Sequence, residues 1–500
     1  MMKRKLLHVL QAVAFFALLA FTLCVVSRVV ERKQSRQKYG PFLENPQAYD
    51  VLFFGDSHVV NAIFPMELWE DYGLASYNLA SYGNSLPVSY WTIRYALDYA
   101  QPKLIVLGVK DAEKDYKLTG SSGDLHTALD GLPLTRTKAQ AIEDLLDDPE
   151  VRDDDGNRYV DMKWEYYIPF GKYHGRWNEL NKGDFRYTPD RQKGALMAVG
   201  VCTPYDYEII DDSEMLEEVG WGYSYLRLII RECKRRGIEL MLVHIPHPAL
   251  ERGQMAANTV GSIAQECDLH YVDFVNLDQV TDYNVDSYDP YSHLNPSGAR
   301  KVTDYLGRFI TEHYDVPDRR SDPAYQSWNE DYAVYDRDKL NLIRGQKELK
   351  NLLMLLHDTH YSVCISVKPG SALYEDDKLI TLMHNIAREH VFEEDAFCKW
   401  SNAMFPLEEL DSAAVQQERY FLMIDRKNGS IRECAGDAQQ LEEETSFGCV
   451  AYCAQDGKAA LTIERDGQSD TYEAQDTGEY GVQILVIDGL TDEVAASVTL

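Results

Sequence analysis

Along the first two-thirds of the chain, apolar residues fall into short continuous runs separated by stretches with helical spacing. Tyr49 to Phe54 reads as a first strand and Ala75 to Leu79 as a short second. Lys103 to Val109 is an unbroken apolar third, the pattern of a strand buried on both faces. Val88 to Tyr99 carries helical spacing between them. Leu226 to Arg236 predicts a helix closed by Gly237, leading into a fourth strand, Ile238 to Ile245, with a fifth at His270 to Val275. Asn295-Pro296 offers an N-cap residue and a first-turn proline for a helix running to about His313. Strands and helices alternating in this way predict an α/β fold over residues 48–315, a doubly wound, flavodoxin-like, three-layer α/β/α arrangement on a parallel sheet of about five strands.

Three stretches break the rhythm. Residues 111–215, rich in Asp, Gly, Tyr and Lys, are too long for a plain connection and read as an insertion over the sheet edge. A polar, proline-containing linker, 316–333, precedes a smaller β-rich α+β module at 334–500. There Leu340 to His357 and Asp376 to Arg388 are helical, and Tyr361 to Val367 alternates as a strand. Further short strands are expected at Tyr420 to Asp425, Cys449 to Ala454, Ala459 to Glu464, Val482 to Ile487 and Val494 to Leu500, with turn signals such as Lys427-Asn428-Gly429. At the other end, Leu6 to Ser27 is almost wholly apolar and long enough to cross a bilayer. It reads as a signal anchor at 6–27 rather than a cleaved signal peptide, behind a stub at 1–5 and before a basic stem at 28–47. Basic residues flank it on both sides, so the positive-inside rule leaves its orientation open.

Composition narrows the partners. Fifty Lys and Arg against 81 Asp and Glu give a net charge of −31, which excludes nucleic acid as a partner of the whole surface. The nine cysteines fit no zinc spacing, and Cys449 with Cys453, on one face of a strand, read as buried small residues or one disulfide. No cofactor or metal motif is present.

The candidate chemistry is spread over three segments. Gly55-Asp56-Ser57-His58 places a serine at the carboxyl end of the first strand, where open α/β sheets bind ligands and a following helix N-terminus supplies donors. Ser81-Tyr82-Gly83-Asn84-Ser85 follows the second strand, and its glycine lets backbone approach a bound group or simply makes a turn. Asp289-Pro290-Tyr291-Ser292-His293 puts a histidine before the last helix with a carboxylate upstream. That histidine could take a proton from Ser57, and the carboxylate could fix its tautomer.

Together these blocks resemble the SGNH (GDSL-type) hydrolase superfamily over roughly residues 48–315. They are similar in particular to membrane-anchored bacterial members handling O-acyl groups on cell-envelope polymers. Leu68-Trp69-Glu70-Asp71-Tyr72-Gly73, Ser76-Tyr77-Asn78-Leu79 and His293-Leu294-Asn295-Pro296-Ser297-Gly298-Ala299 look like that group. The resemblance implies Ser57 as nucleophile, His293 as general base, Asp289 as orienting acid, and an oxyanion hole from the backbone N–H groups of Ser57 and Gly83. Two departures stand out. The family's third block, Gly-x-Asn-Asp, is Gly108-Val109-Lys110-Asp111 here, so Lys110 or Asn84 must supply the donor the Asn would give, or the enzyme is slow. The family's acid lies three residues before the histidine, where this chain has Pro290, which leaves Asp289 and Asp286 as candidates.

Asp56 and His244 are candidate substrate contacts. So are His174 and Trp177, as a platform for a sugar, although packing of the insertion explains them as well; His247, just past the fourth strand, stands with His244. His58 is expected to point away from the serine. The C-terminal region resembles the interleukin-like EMT-inducer (GG) domain through Leu352 to Val367 and Tyr480 to Asp488. That likeness implies glycan holding, against a structural or dimerising role. The resemblance as a whole implies an extracytoplasmic serine esterase or acyltransferase at the cell membrane. Its implied partners are a cell-envelope polysaccharide or lipid-linked glycan and a protein acyl donor. The rival reading is a non-catalytic glycan-binding or envelope-assembly protein with a degenerate site.

Overall fold

The five expected strands become β1 (Val51–Phe54), β2 (Ser76–Asn78), β3 (Leu104–Gly108), β4 (Glu239–His244) and β5 (His270–Asp273). All pair in parallel, in the order β2-β1-β3-β4-β5. The computed structural model describes the chain apart from residues 1, 187, 206–207, 209, 211–213, 276–279, 292, 358–359, 393–399, 405–406, 413–416, 437–438 and 456–457, with the backbone alone at 2–3, 388–392, 400–404 and 439. Alternate residues of β1 feed different cores, which is why its run is continuously apolar. Leu52 and Phe54 join Trp91, Ile93 and Leu226 on one face, while Val51 and Phe53 join Val59, Leu68, Val302 and Phe309 on the other. The loops leaving the carboxyl ends of β1, β2 and β3 therefore open on one edge of a sheet covered on both sides.

The apolar N-terminus forms α1 (Met2–Val30), within which Arg4–Val30 is long and apolar enough to cross a membrane, about 40 Å at the helical rise. The expected stem is a packed helix, α2 (Lys33–Glu44), that buries Ser35, Tyr39 and Phe42. Phe42 lies 5.7 Å from Tyr49 and 5.8 Å from Tyr77, ring to ring. Its basic residues hid this face, because Lys33, Arg36 and Lys38 are interleaved with the buried positions and are themselves half-buried.

α3 (Ser57–Ala62) follows β1, α4 (Pro65–Tyr72) precedes β2, and α5 (Leu86–Ala96) links β2 to β3. The insertion contributes helices Ser122–Leu129 and Arg136–Leu145 to the core that α5 fills. Its returning strand of chain is tied along the site edge. Lys193 O accepts from Asn78 N at 2.8 Å, Val60 O from Leu196 N at 3.1 Å and Ser287 O from Cys202 N at 2.8 Å.

Beyond residue 345 the sheets are antiparallel. β6 (Tyr361–Val367), β7 (Arg388–Phe392), β8 (Trp400–Met404), β9 (Tyr420–Asp425), β10 (Ser430–Ala435), β11 (Gln439–Thr445), β12 (Gly448–Gln455), β13 (Lys458–Arg465), β14 (Gln468–Glu473), β15 (Val482–Asp488) and β16 (Val494–Thr499) form three sheets, ordered β10-β9-β6-β15-β16, β11-β12-β13-β14 and β7-β8. Cys449 and Cys453 both lie on β12 as free thiols. A helix, Gln326–Gly345, runs across the boundary expected at 333. Its Trp328, Tyr332 and Tyr335 pack on the α/β core, and its Leu340 and Ile343 on the C-terminal one.

Candidate active site

Ser57 is the first residue of α3, and the turn before it requires glycine. Gly55 has φ +146°, and a Cβ there would meet Val59 Cγ2 at 2.6 Å and Gly108 Cα at 3.2 Å. Asp56 caps α3, its Oδ1 accepting from His58 N at 3.2 Å. The last helix, Pro296–His313, is capped by Asn295, whose Oδ1 accepts from Gly298 N at 3.2 Å. That cap fixes where the preceding loop ends and carries His293 back to the serine.

There the three segments meet. Ser57 Oγ lies 2.7 Å from His293 Nε2, and His293 Nδ1 lies 2.7 Å from Asp289 Oδ2. A carboxylate at Nδ1 favours the tautomer protonated there, leaving Nε2 to accept from the serine hydroxyl. Asp289 Oδ1 accepts from the backbone of Tyr291 at 3.0 Å and of His293 at 3.2 Å, which locks its orientation. Asp286, the other candidate acid, is fully buried elsewhere. It accepts from Ser297 Oγ and Lys301 Nζ, each at 2.7 Å, and from Asp282 N at 2.8 Å.

The turn carrying Gly83 sits beside the turn that leads into Ser57, since Ser81 N donates to Gly55 O at 3.1 Å. Gly83 has φ +64°, and a Cβ there would strike Asp124 Oδ2 at 2.3 Å. Asn84, 3% exposed, has a buried Nδ2 with no hydrogen-bond partner among the described residues. Such an orphan donor costs about 1–3 kcal/mol unless a bound group satisfies it. Tyr82 and Tyr288 flank the histidine, their rings 6.3 and 5.8 Å from that of His293. Burial first, then Tyr82 and Asp289, pushes the Tyr288 phenol up to about 12.

Lys110 sits behind the serine. Its Nζ lies 3.2 Å from His58 Nδ1 and 3.7 Å from Asp56 Oδ2. His58, expected to point away, instead stacks on His293 with ring centroids 4.4 Å apart. Its Nε2 lies 3.3 Å from Tyr291 O, and its Nδ1 lies between the Asp56 carboxylate and the Lys110 ammonium. Burial and then the Lys110 charge lower the His58 pKa to about 4. Burial opposes the charge on Asp56, but His58, Lys110 and His293 together hold its carboxyl well below the usual range. Burial and then Asp56 push the Asp111 carboxyl up. The sequence clue to His58 was the Asp56-x-His58 spacing, which brings Asp56 Oδ2 to 3.1 Å from His58 Nδ1 around the helix cap.

A row of rings continues inward, with His58 5.3 Å from His247 and His247 5.1 Å from His244. Both inner histidines are buried, and burial lowers their pKa values. His244 therefore belongs to the floor behind the site. The structure does not carry His174 and Trp177 to the serine. Among the described residues, their 3₁₀ turn contacts α1, and His174 Nδ1 lies 2.7 Å from Gly171 O.

Comparison with protein-family models, with curated proteins and with solved structures found no match.

Proposed function

We propose that this chain is a membrane-anchored, extracytoplasmic serine esterase or O-acyltransferase of the SGNH (GDSL-type) class, acting on acyl esters of a cell-envelope glycan. The observation that carries the reading is the unbroken chain from Ser57 Oγ through the His293 ring to the Asp289 carboxylate. The strand order β2-β1-β3-β4-β5 with cores on both faces supports the doubly wound, flavodoxin-like form of the fold.

In this mechanism Ser57 Oγ attacks the acyl carbonyl as its proton passes to His293 Nε2. The C=O π electrons move onto oxygen, and the oxyanion faces the Ser57 and Gly83 N–H groups and the Asn84 amide. Collapse breaks the ester C–O bond, and Nε2 returns the proton to the departing hydroxyl. Water, or a second sugar hydroxyl, then attacks the acyl-serine with His293 again as base; the acyl C–Oγ bond breaks and Nε2 returns the proton to Ser57 Oγ, giving hydrolysis or transfer. Neutral His58 lets the stacked His293 take its positive charge without a second cation at 4.4 Å. The membrane-spanning reading of α1 favours a polymer or lipid-linked glycan as substrate.

One observation favours the non-catalytic, glycan-binding alternative. Lys110, in the place of the family's oxyanion Asn, is engaged with Asp56 and His58. Labelling with a fluorophosphonate probe separates the two readings. Wild-type labelling that Ser57→Ala and His293→Ala both abolish is the expected result; a wild type that stays unlabelled overturns catalysis.

A further inference from the structure

Trp164, Ile168, Trp177 and Phe185 in the insertion are 52%, 58%, 72% and 67% exposed, and none takes part in the site above. They lie on or beside consecutive short turns, Lys163–Tyr167, His174–Asn178 and Lys182–Phe185. Scattered apolar residues are ordinary on a protein surface, but a local group of large ones marks a contact.

Their neighbours place them at the foot of α1. Arg176, next to Trp177, donates to the carbonyl of Val30 and also meets Asp184 Oδ1 at 3.1 Å. Asp184, next to Phe185, lies 3.7 Å from Lys33 Nζ, and Lys33 in turn donates to the carbonyls of Arg28 and Val29, both at 2.9 Å. Trp164 covers Gly171, where an added Cβ would meet its ring at 1.8 Å, and the turn Phe170–Tyr173 touches α1. This is where α1 changes character. Its apolar side chains are exposed up to Val26, whereas Val30 is 3% exposed.

We propose that this segment is a membrane-contacting collar whose occupant is the boundary between lipid headgroups and acyl chains, on the side where α1 leaves the bilayer. The inference rests on α1 spanning a membrane. Tryptophan and phenylalanine suit that boundary, and exposed Lys172, Lys182 and Arg186, which outnumber the exposed Glu179 along the same stretch, suit anionic headgroups. With α1 and the collar as two attachments, the α/β domain is held against the surface instead of hanging from a tether. It then meets acyl esters that lie at the membrane.

Tryptophan fluorescence tests this directly, because α1 contains no Trp, while Trp164 and Trp177 are two of the chain's seven. The full chain would be reconstituted in vesicles of phosphatidylcholine and phosphatidylglycerol, with and without shallow-brominated phosphatidylcholine. Quenching of the wild type, mostly lost in the Trp164→Phe/Trp177→Phe double variant, is the expected result. Equal quenching of both proteins, or none, in vesicles that keep the chain through an alkaline carbonate wash overturns the collar alone. Release of the chain by that wash overturns the anchor and the collar with it.

Discussion

At the scale of single residues, the site separates groups that hold a proton from groups that must not. Asp289 faces the His293 Nδ1 at 2.7 Å, so Asp289→Asn should cut the acyl-transfer rate about 10³–10⁴-fold while leaving the thermal midpoint nearly unchanged. Asn84 makes the opposite trade. Its Nδ2 has no partner at rest, so Asn84→Ala should lower kcat about 10²–10³-fold on an aryl acetate without loss of stability by urea titration. His58 gives a pH signature. Its folded pKa, about 4, lies below the ordinary 6.5, so between those values the unfolded chain binds a proton that the native chain excludes. Stability is then full above pH 6.5 and falls toward pH 4, by about 1.4 kcal/mol per unit from this group. Urea midpoints at pH 7 and pH 5 should converge in His58→Asn relative to wild type. Ser57, His293, Asp289 and Gly83 were all readable as candidates from motif order. The stacking of His58 on His293 was not, because it depends on the loop that carries Tyr291 closing over α3.

At the scale of elements, two nearby carboxylates differ by which element they serve. Asp289 orients a loop histidine, whereas Asp286 and Lys301, both wholly buried, pin the helix Pro296–His313 to the loop before it. Asp286→Asn leaves the buried ammonium without its counter-charge and should destabilise by about 3–5 kcal/mol, read as a drop in thermal midpoint. β1 and β3 were legible to within a residue or two because burial on both faces leaves no polar positions to blur the pattern. α2 was not, since its apolar face is only Tyr39 and Phe42 and Pro41 interrupts it. The helix Gln326–Gly345 was hidden in a polar stretch, because what it buries is largely aromatic and charged.

At the scale of the whole molecule, the helix Gln326–Gly345, which packs on both cores, is tied to the α/β part by buried charge. Glu67 of α4 pairs with Arg300 and with Lys339 Nζ at 2.8 Å, and accepts from Tyr335 OH at 2.6 Å. Arg300 also reaches Asp71 at 2.8 Å. Glu67→Gln removes the counter-charge that Arg300 and Lys339 share, and calorimetry should then resolve separate transitions for the two parts where the wild type melts more cooperatively.

By itself the sequence determined the parallel strands, the apolar N-terminal helix and the residue types at the ends of β1 and β2 and before the last helix. Those depend on local periodicity and on caps, which short windows of chain carry. Only the tertiary structure decided that Asp289 and not Asp286 faces His293, that Lys110 backs Asp56 and His58, and that Trp177 stands beside α1. These are contacts between residues far apart in the chain, or choices between neighbours a turn apart. They follow from where separately specified elements pack, which no local pattern encodes.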